Sequence, residues 1–394
     1  MPIANRLWGL LRPEASLLVV VPTVALVLLA CFGMLNWHLL SIHFWTTALY
    51  FLFFGWQFFF LVCLVVVTYV WARLISRATG RWLPKPSATN EFPLASARPA
   101  SQSPKRLQTA RGFAGLTAAY SYALAVHIIA MDALFHPNPQ RVAWANELMM
   151  RADHAIFGVY VPFAMHEEKL FRVLSVPMLI SYVSMSSVLS LVFTALCVFH
   201  ANHFRQYVLA FLMIMYIGLP FWFAVPAISP SEAYRVNKLG VNIPANIARD
   251  IAVATTHLDP KVLRFIERIE PYESDPAWGR FAVTTFPSMH VAWGILIAWF
   301  GIRLYPRSAP VLAPWAALNM LGAIYTLQHY AVDVVAGAVV TVVAVVLVRG
   351  LVVLESRCGL QPPGGYEVLG FVRKDVESFG AAIRRFVKRT VGRV

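Results

Sequence analysis

Long apolar stretches separated by polar loops dominate the pattern of this chain. A membrane-crossing helix needs about 20 apolar residues, and about eight stretches reach that length. They lie near residues 15–35, 44–71, 112–135, 171–199, 205–228, 288–305, 309–328 and 332–354. The chain is 59% hydrophobic and only 13% charged, which is too few polar residues to cover a soluble protein of this length. The pattern predicts an all-α, polytopic membrane protein.

The charged residues between these stretches predict an orientation. Residues 72–111 and the tail from residue 356 are rich in Lys and Arg, and such segments stay on the cytoplasmic side. Both termini are then cytoplasmic, while residues 137–170, residues 229–286 and the turn at His329 lie outside. A net charge of +14 distributed in this way indicates contact with anionic lipid and argues against a nucleic-acid partner. The high Ala, Arg and Val content favours a bacterial plasma membrane.

Composition shifts divide the chain into four parts. Residues 1–79 hold two N-terminal spans, and residues 80–111 form a basic, Pro- and Ser-rich stretch predicted to be a disordered cytoplasmic linker. Residues 112–354 form a six-helix core, and residues 355–394 form a basic amphipathic tail expected on the inner leaflet. Within the core, residues 143–157 alternate at helical spacing, which predicts an outer helix lying on the membrane.

The four cysteines show neither the paired spacing of a disulfide framework nor that of a zinc site. The outer loops contain no cluster of carboxylates suited to magnesium or calcium. We therefore expect a protein that works without a metal or another cofactor.

Two ionisable residues stand out in the last apolar region. Between residues 308 and 348 the only ionisable side chains, apart from two tyrosines, are His329 and Asp333. A carboxylate in a membrane segment costs roughly 3 kcal/mol and marks function or a specific partner. The spacing of four predicts that both lie on one helical face. Asp333 would then orient His329 as a nucleophile towards phosphorus; the alternative is a buried structural pair.

A second cluster begins the sixth stretch, at Pro287-Ser288-Met289-His290. Proline suits the first position of a helix, so we expect the amides of Ser288 and Met289 to face outward as an anion site. The Ser288 hydroxyl adds a donor, and His290 is placed to act as an acid near a bound phosphate. The alternative is a proline-capped helix whose histidine faces lipid headgroups.

A third cluster, residues 226–235, ends the fifth stretch at Pro226 and Pro230. Arg235 and Lys238 follow it, and Arg280 precedes the second cluster. These cations are candidates for binding a phosphoryl group, and the alternative is that they snorkel to the membrane surface. The charge-based orientation places all three clusters on the outer face.

Together these residues resemble the type-2 phosphatidic acid phosphatase superfamily over residues 112–354. The resemblance rests on the proline-rich end of the fifth stretch, on Phe286-Pro287-Ser288-Met289-His290, and on His329-Tyr330 with Asp333. It implies that His329 attacks phosphorus to form a phosphohistidine, that Asp333 orients it, and that His290 protonates the leaving group. The implied partner is a phospholipid or another lipid phosphate within the bilayer.

Departures from the phosphatase pattern favour one branch of that superfamily. Ala323, preceded by Gly322, stands where the phosphatases have an arginine, and Met289 replaces a glycine. Both features are similar to the branch that contains inositol phosphorylceramide synthase and the sphingomyelin synthases, although Ser231 replaces a proline of that branch. The sequence thus predicts a lipid phosphotransferase, with a lipid phosphate phosphatase, a non-enzymatic transporter and a scaffold protein as alternatives.

Overall fold

A computed structural model describes residues 13–33, 35, 38, 40–42, 44–45, 103–134, 138–235, 245–273 and 283–358. All regular elements within these residues are helices, which confirms the predicted all-α fold. The labelled helices run in chain order as α1 Val21–Cys31, α2 Ser103–Leu134, α3 Pro139–Phe157, α4 Val161–Ala164, α5 Lys169–Val173, α6 Ser175–Val183, α7 Met185–Phe199, α8 Ala201–Ala224, α9 Pro230–Arg235, α10 Ala245–Thr255, α11 Pro260–Glu273, α12 Met289–Leu304, α13 Ala309–Tyr325 and α14 Ala331–Arg357.

Several of these helices are suited to a bilayer, so the protein is an integral membrane protein. Within the described residues, three are long and apolar enough to cross it: Gly115–Leu134 of α2, Asn202–Ala224 of α8, and α14. The pair α6 and α7 adds a fourth if it forms one span. The total of eight spans stays a prediction, since nearly all of residues 44–71 lies outside the described part.

The structure describes only the C-terminal end of the predicted linker, which is helical, and nearly none of the predicted tail. Helix α2 begins at Ser103 and so extends into residues 80–111, the predicted linker. Residues 80–102 and 359–394 lie outside the described part, so their predicted disorder and surface binding stay predictions. Residues 143–157 are helical, as predicted, within α3; their place on the outer membrane surface stays a prediction.

Helix α12 lies at the centre of the bundle. It packs against α7, α8, α13 and α14, and its buried residues are distributed around the helix rather than along one stripe. A helix that is apolar on every side needs other helices or lipid around it. The four neighbours of α12 supply much of that cover, and its first residues, which include His290, are packed with them.

A bend interrupts the stretch over residues 171–199, which was predicted to be one continuous span. Helices α6 and α7 meet at an angle of 49°. The Ser181 hydroxyl donates to the Trp315 carbonyl at 2.9 Å, and the Trp315 indole donates to the Ser184 hydroxyl at 3.0 Å. These bonds to α13 hold the bend in place, which the local apolar pattern does not reveal.

A buried ion cluster joins the start of the described chain to the bundle. Arg205, at the beginning of α8, donates to Glu14 at 2.8 Å and pairs with Glu355 at 2.7 Å. All three residues are buried. Removing one partner from a buried ion cluster leaves charge without compensation, which costs far more than the net contribution of the intact cluster.

We expect Arg205→Met to lower the free energy of unfolding by about 3–5 kcal/mol, because two buried carboxylates lose their guanidinium partner. The measurement is thermal unfolding of the purified protein in detergent. Arg151→Met is the control, because Arg151 is exposed and pairs with its helix neighbour Glu147; we expect a change below about 0.5 kcal/mol. Equal stability losses in the two variants would contradict the prediction.

Candidate active site

The three sequence clusters meet at one end of the bundle. The Ser231 amide donates to the Leu327 carbonyl at 2.9 Å, which joins the first cluster to the turn that carries His329. The Thr285 hydroxyl donates to the Ala227 carbonyl at 3.0 Å. The Ser288 amide donates to the Asp333 carbonyl at 3.1 Å. Segments that are far apart in the sequence are therefore in direct contact.

A tight turn between α13 and α14 positions His329. The amides of Leu327 and Gln328 return to the carbonyls of Ile324 and Ala323 at 2.9 and 3.2 Å, which is the Schellman pattern of a helix C-terminus. Leu327 occupies the left-handed position of this motif, with φ 58°, where glycine is usual. This conformation costs a branched residue about 1–2 kcal/mol. Its side chain is only 1% exposed, so burial helps to offset that cost.

The expectation that His329 and Asp333 share a helical face is wrong in its geometry. His329 precedes α14, which begins at Ala331, so it lies in the turn rather than on the helix. The two side chains are nevertheless close, with His329 Nδ1 3.5 Å from Asp333 Oδ2. The same Oδ2 accepts the Tyr330 amide at 2.9 Å. Asp333 therefore stabilises the turn through a hydrogen bond and also contacts the imidazole.

The pair is buried, and its second imidazole nitrogen faces away from the carboxylate. His329 is 8% exposed and Asp333 is fully buried. At 3.5 Å the contact is longer than a good hydrogen bond, and neither His329 Nδ1 nor Asp333 Oδ1 has a hydrogen-bond partner within the described part of the chain. Catalytic contacts are often loose before substrate binds. With Nδ1 facing Asp333, Nε2 is the nitrogen left for chemistry.

The start of α12 differs from the prediction by one residue. Ser288 is the N-cap, and its hydroxyl accepts the Val291 amide at 3.3 Å. Pro287 therefore precedes the cap, contrary to its predicted place at the first helical position. The outward amide predicted for Ser288 is also wrong, because that N–H already bonds to Asp333. The first-turn amides of α12 belong to Met289 and His290 instead.

Met289 packs its side chain against α8. It is 5% exposed, and a methyl group added to Gly218 would lie 2.8 Å from its terminal carbon. Gly218 therefore provides the space for the long side chain. Since that side chain is occupied in packing, any contact of Met289 with phosphate is limited to its backbone amide.

His290 is held by the bend between α6 and α7. Its Nε2 lies 3.0 Å from the Tyr182 carbonyl oxygen, and its ring stacks on the Tyr182 ring at 4.0 Å and 17°. A carbonyl oxygen only accepts, so Nε2 carries a proton and Nδ1 is the nitrogen that can gain or lose one. The Ser288 amide bonds to the Asp333 carbonyl, so the start of α12, which carries His290, lies beside the segment that carries His329.

The predicted phosphate-binding cations fall largely outside the described structure. Arg235 ends α9, but its side chain is not described, and Lys238 and Arg280 lie outside the described residues. A side-chain cap explains how α9 begins: the Ser229 hydroxyl accepts the Glu232 amide at 3.2 Å. The roles of the three cations stay predictions.

Two residues of α3 were missed by the sequence reasoning. Asn146 and Asp153 are fully buried against the turn that carries His329. They follow the helical spacing of Met149 and Met150, which are also buried. Polar residues at the apolar positions of a surface helix were therefore a usable signal.

No group of three or more His, Cys, Asp or Glu side chains that could hold a metal ion is found in the described part of the chain.

Comparisons with known proteins address the family. Neither the curated proteins nor the solved structures gave a match. A family model of the PAP2 superfamily matches residues 147–347, about half of the chain. The matched range contains all three clusters and the buried polar residue Asp153. This protein therefore belongs to the PAP2 superfamily of phosphatase-type enzymes.

Proposed function

We propose that the protein is a lipid phosphotransferase that moves a phosphate or phospho-headgroup from a lipid to an alcohol through a phosphohistidine. The observation that carries this proposal is the placement of two histidines from different segments at one site, where a different ring nitrogen of each faces its partner. Asp333 faces Nδ1 of His329, and the Tyr182 carbonyl accepts from Nε2 of His290. One imidazole is thus prepared to attack and the other to exchange a proton.

In the first step, the lone pair of His329 Nε2 attacks phosphorus and forms a P–N bond. The bond between phosphorus and the leaving oxygen of the lipid breaks. His290, which enters this step as an imidazolium with a proton on each nitrogen, donates its Nδ1 proton to that oxygen. Asp333 stabilises the positive charge that develops on His329. Phosphoryl transfer requires mainly positioning and charge stabilisation, which fits a site made by the ends of packed helices.

In the second step, an acceptor hydroxyl attacks phosphorus and the P–N bond breaks. His290 Nδ1, now neutral, removes the proton of that hydroxyl, so the histidine returns to its starting state. The same group acts as acid and then as base, as reversibility of the two half-reactions requires. The reaction as proposed uses no metal.

The amides at the start of α12 support binding of the phosphoryl oxygens. A helix N-terminus presents unpaired N–H groups and the positive end of the helix dipole. With the Ser288 amide bonded to Asp333, Met289 and His290 supply the amides in this proposal, and the Ser288 hydroxyl can add a donor. Arg235, Lys238 and Arg280 remain the proposed cations.

The choice of an alcohol as acceptor rests on the departures from the phosphatase pattern, Met289 and Ala323, which favour the branch of inositol phosphorylceramide and sphingomyelin synthases. The second candidate function is a lipid phosphate phosphatase, in which water takes the place of the alcohol. Loop charge further supports an extracytoplasmic site, with both termini cytoplasmic and a bacterial plasma membrane as its location.

The test uses the purified protein in lipid nanodiscs with phosphatidic acid or phosphatidylinositol, each labelled at phosphorus. We expect protein-bound label that survives alkali and is lost in acid, since a P–N bond has that stability. Added diacylglycerol or ceramide should receive the label in a new lipid. Release of inorganic phosphate alone would identify the phosphatase, and the lack of both label and turnover with every lipid would reject an enzyme and favour a transporter.

A further inference from the structure

Helix α3 places a polar pair against the turn that carries His329. Asn146 and Asp153 are two helical turns apart, so they lie on the same face. Both are fully buried. A buried carboxylate and a buried amide are costly unless every polar atom is satisfied. Their partners therefore indicate why they are present.

Asp153 binds the first two free amides of α14. Its Oδ1 accepts the Val332 amide at 2.8 Å, and its Oδ2 accepts the Ala331 amide at 3.1 Å. These amides follow His329 by two and three residues. A carboxylate at a helix N-terminus also complements the helix dipole. Both carboxylate oxygens are thus committed to the segment that directly follows His329.

Asn146 binds Tyr330, the residue between His329 and Ala331. Its Oδ1 accepts the Tyr330 hydroxyl at 2.7 Å, and its Nδ2 donates to the Val142 carbonyl of α3 at 2.8 Å. The second bond fixes the orientation of the amide, so the oxygen must face Tyr330. The three consecutive residues after His329 are therefore all hydrogen-bonded to α3.

We propose that Asp153 is a positioning residue, which acts through the Ala331 and Val332 amides to fix the aim of His329 and Asp333. This role rests on the proposed function, because it concerns the geometry of a nucleophile. Asp153 does not touch the reacting atoms. A misplacement of about 1 Å at a reacting group can cost about 100-fold in rate, so the attachment of this short turn matters for turnover.

The environment of Asp153 makes the attachment sensitive to pH. Burial raises the pKa of Asp153 to about 7, while the amides of Val332 and Ala331 oppose the rise. The titratable groups around it are Asp333 on α14, the phenol of Tyr330, and the phenol of Tyr160 that follows α3. Below about pH 7 the carboxylate takes up a proton, and one of its oxygens becomes a weaker acceptor. Turnover should therefore fall on the acidic side of that value.

The test compares Asp153→Asn with Glu147→Gln in turnover of labelled phosphatidic acid by the nanodisc protein. Both change a carboxylate of α3 to an amide, but Glu147 is half-buried and pairs with the exposed Arg151. We expect Asp153→Asn to lower kcat about 10- to 100-fold with KM changed less than about threefold, and to lose the acidic limb near pH 7. Glu147→Gln should keep the wild-type values and pH profile.

The outcomes separate this inference from the proposed function. Wild-type kcat in Asp153→Asn, with His329→Ala inactive, overturns only the positioning role. Wild-type turnover in His329→Ala overturns the proposed function itself. If Asp153→Asn does not fold, Tyr330→Phe removes the bond to Asn146 from the same turn; a fall in kcat of about threefold or more supports the inference, and wild-type kcat overturns it.

Discussion

His329→Ala should reduce lipid-phosphate turnover by about 10⁴-fold or more, because the variant has no nitrogen to form the covalent bond to phosphorus. Asp333→Asn should reduce it by about 10²- to 10⁴-fold, since an amide can neither hold the proton-bearing Nδ1 in the same way nor stabilise the imidazolium. The measurement is steady-state turnover of labelled phosphatidic acid, with the protein-bound label followed in parallel.

The control for both variants is His203→Ala. His203 lies in the first turn of α8, at the opposite end of that helix from the site. We expect it to keep wild-type turnover and the protein-bound label. A His329→Ala variant that retained a tenth of the wild-type rate would show that another group attacks phosphorus. Loss of activity in His203→Ala would indicate a general effect of removing histidines.

Gly337→Ala is expected to have the second largest effect, although Gly337 carries no chemistry. It lies in α14, and a methyl group there would overlap the Ser288 carbonyl oxygen. The backbone of Ser288 cannot yield easily, because its amide is bonded to Asp333 and its hydroxyl caps α12. The start of α12 and the start of α14 would have to separate, which moves His290 away from His329.

We expect Gly337→Ala to lower turnover by about 100-fold and the free energy of unfolding by about 1–3 kcal/mol. Gly350→Ala is its control on the same helix, since a methyl group there meets no atom within 4 Å. The free energy of unfolding of that variant should rise by up to about 1 kcal/mol, because alanine has a higher helix propensity than glycine. The variant should keep full activity. Turnover and thermal unfolding in detergent measure both effects. Equal behaviour of the two variants would mean that the close approach at Ser288 is not needed.

The helical skeleton was largely predictable because it depends on local apolar content. The predicted stretch at 288–305 became α12, Met289–Leu304, and the stretch at 332–354 became α14, Ala331–Arg357. The stretch at 309–328 ended early, at Tyr325, because the Schellman turn takes up the residues that follow. Leu327 gave no sign of that turn, since glycine is the usual residue there.

The errors at the site have the same origin, because local patterns do not show contacts between distant segments. The residue types His290, His329 and Asp333 indicated phosphoryl chemistry, and the structure brings them together. The direction of each ring nitrogen was beyond the sequence, because the Tyr182 carbonyl that accepts from His290 lies in α6, far from His290 in the chain. The Ser288 amide was predicted to be free because its partner, the Asp333 carbonyl, is distant in sequence.

The sequence by itself determined the all-helical membrane class, the approximate helix positions and the residues that could act on a phosphate, because hydrophobic length and residue chemistry are local properties. The tertiary structure alone decided which backbone groups remain available, which nitrogen of each histidine faces its partner, and that α3 attaches through Asp153 to the turn that carries His329. These features depend on hydrogen bonds between segments far apart in the chain, and a buried polar atom reveals its partner only after the helices have packed.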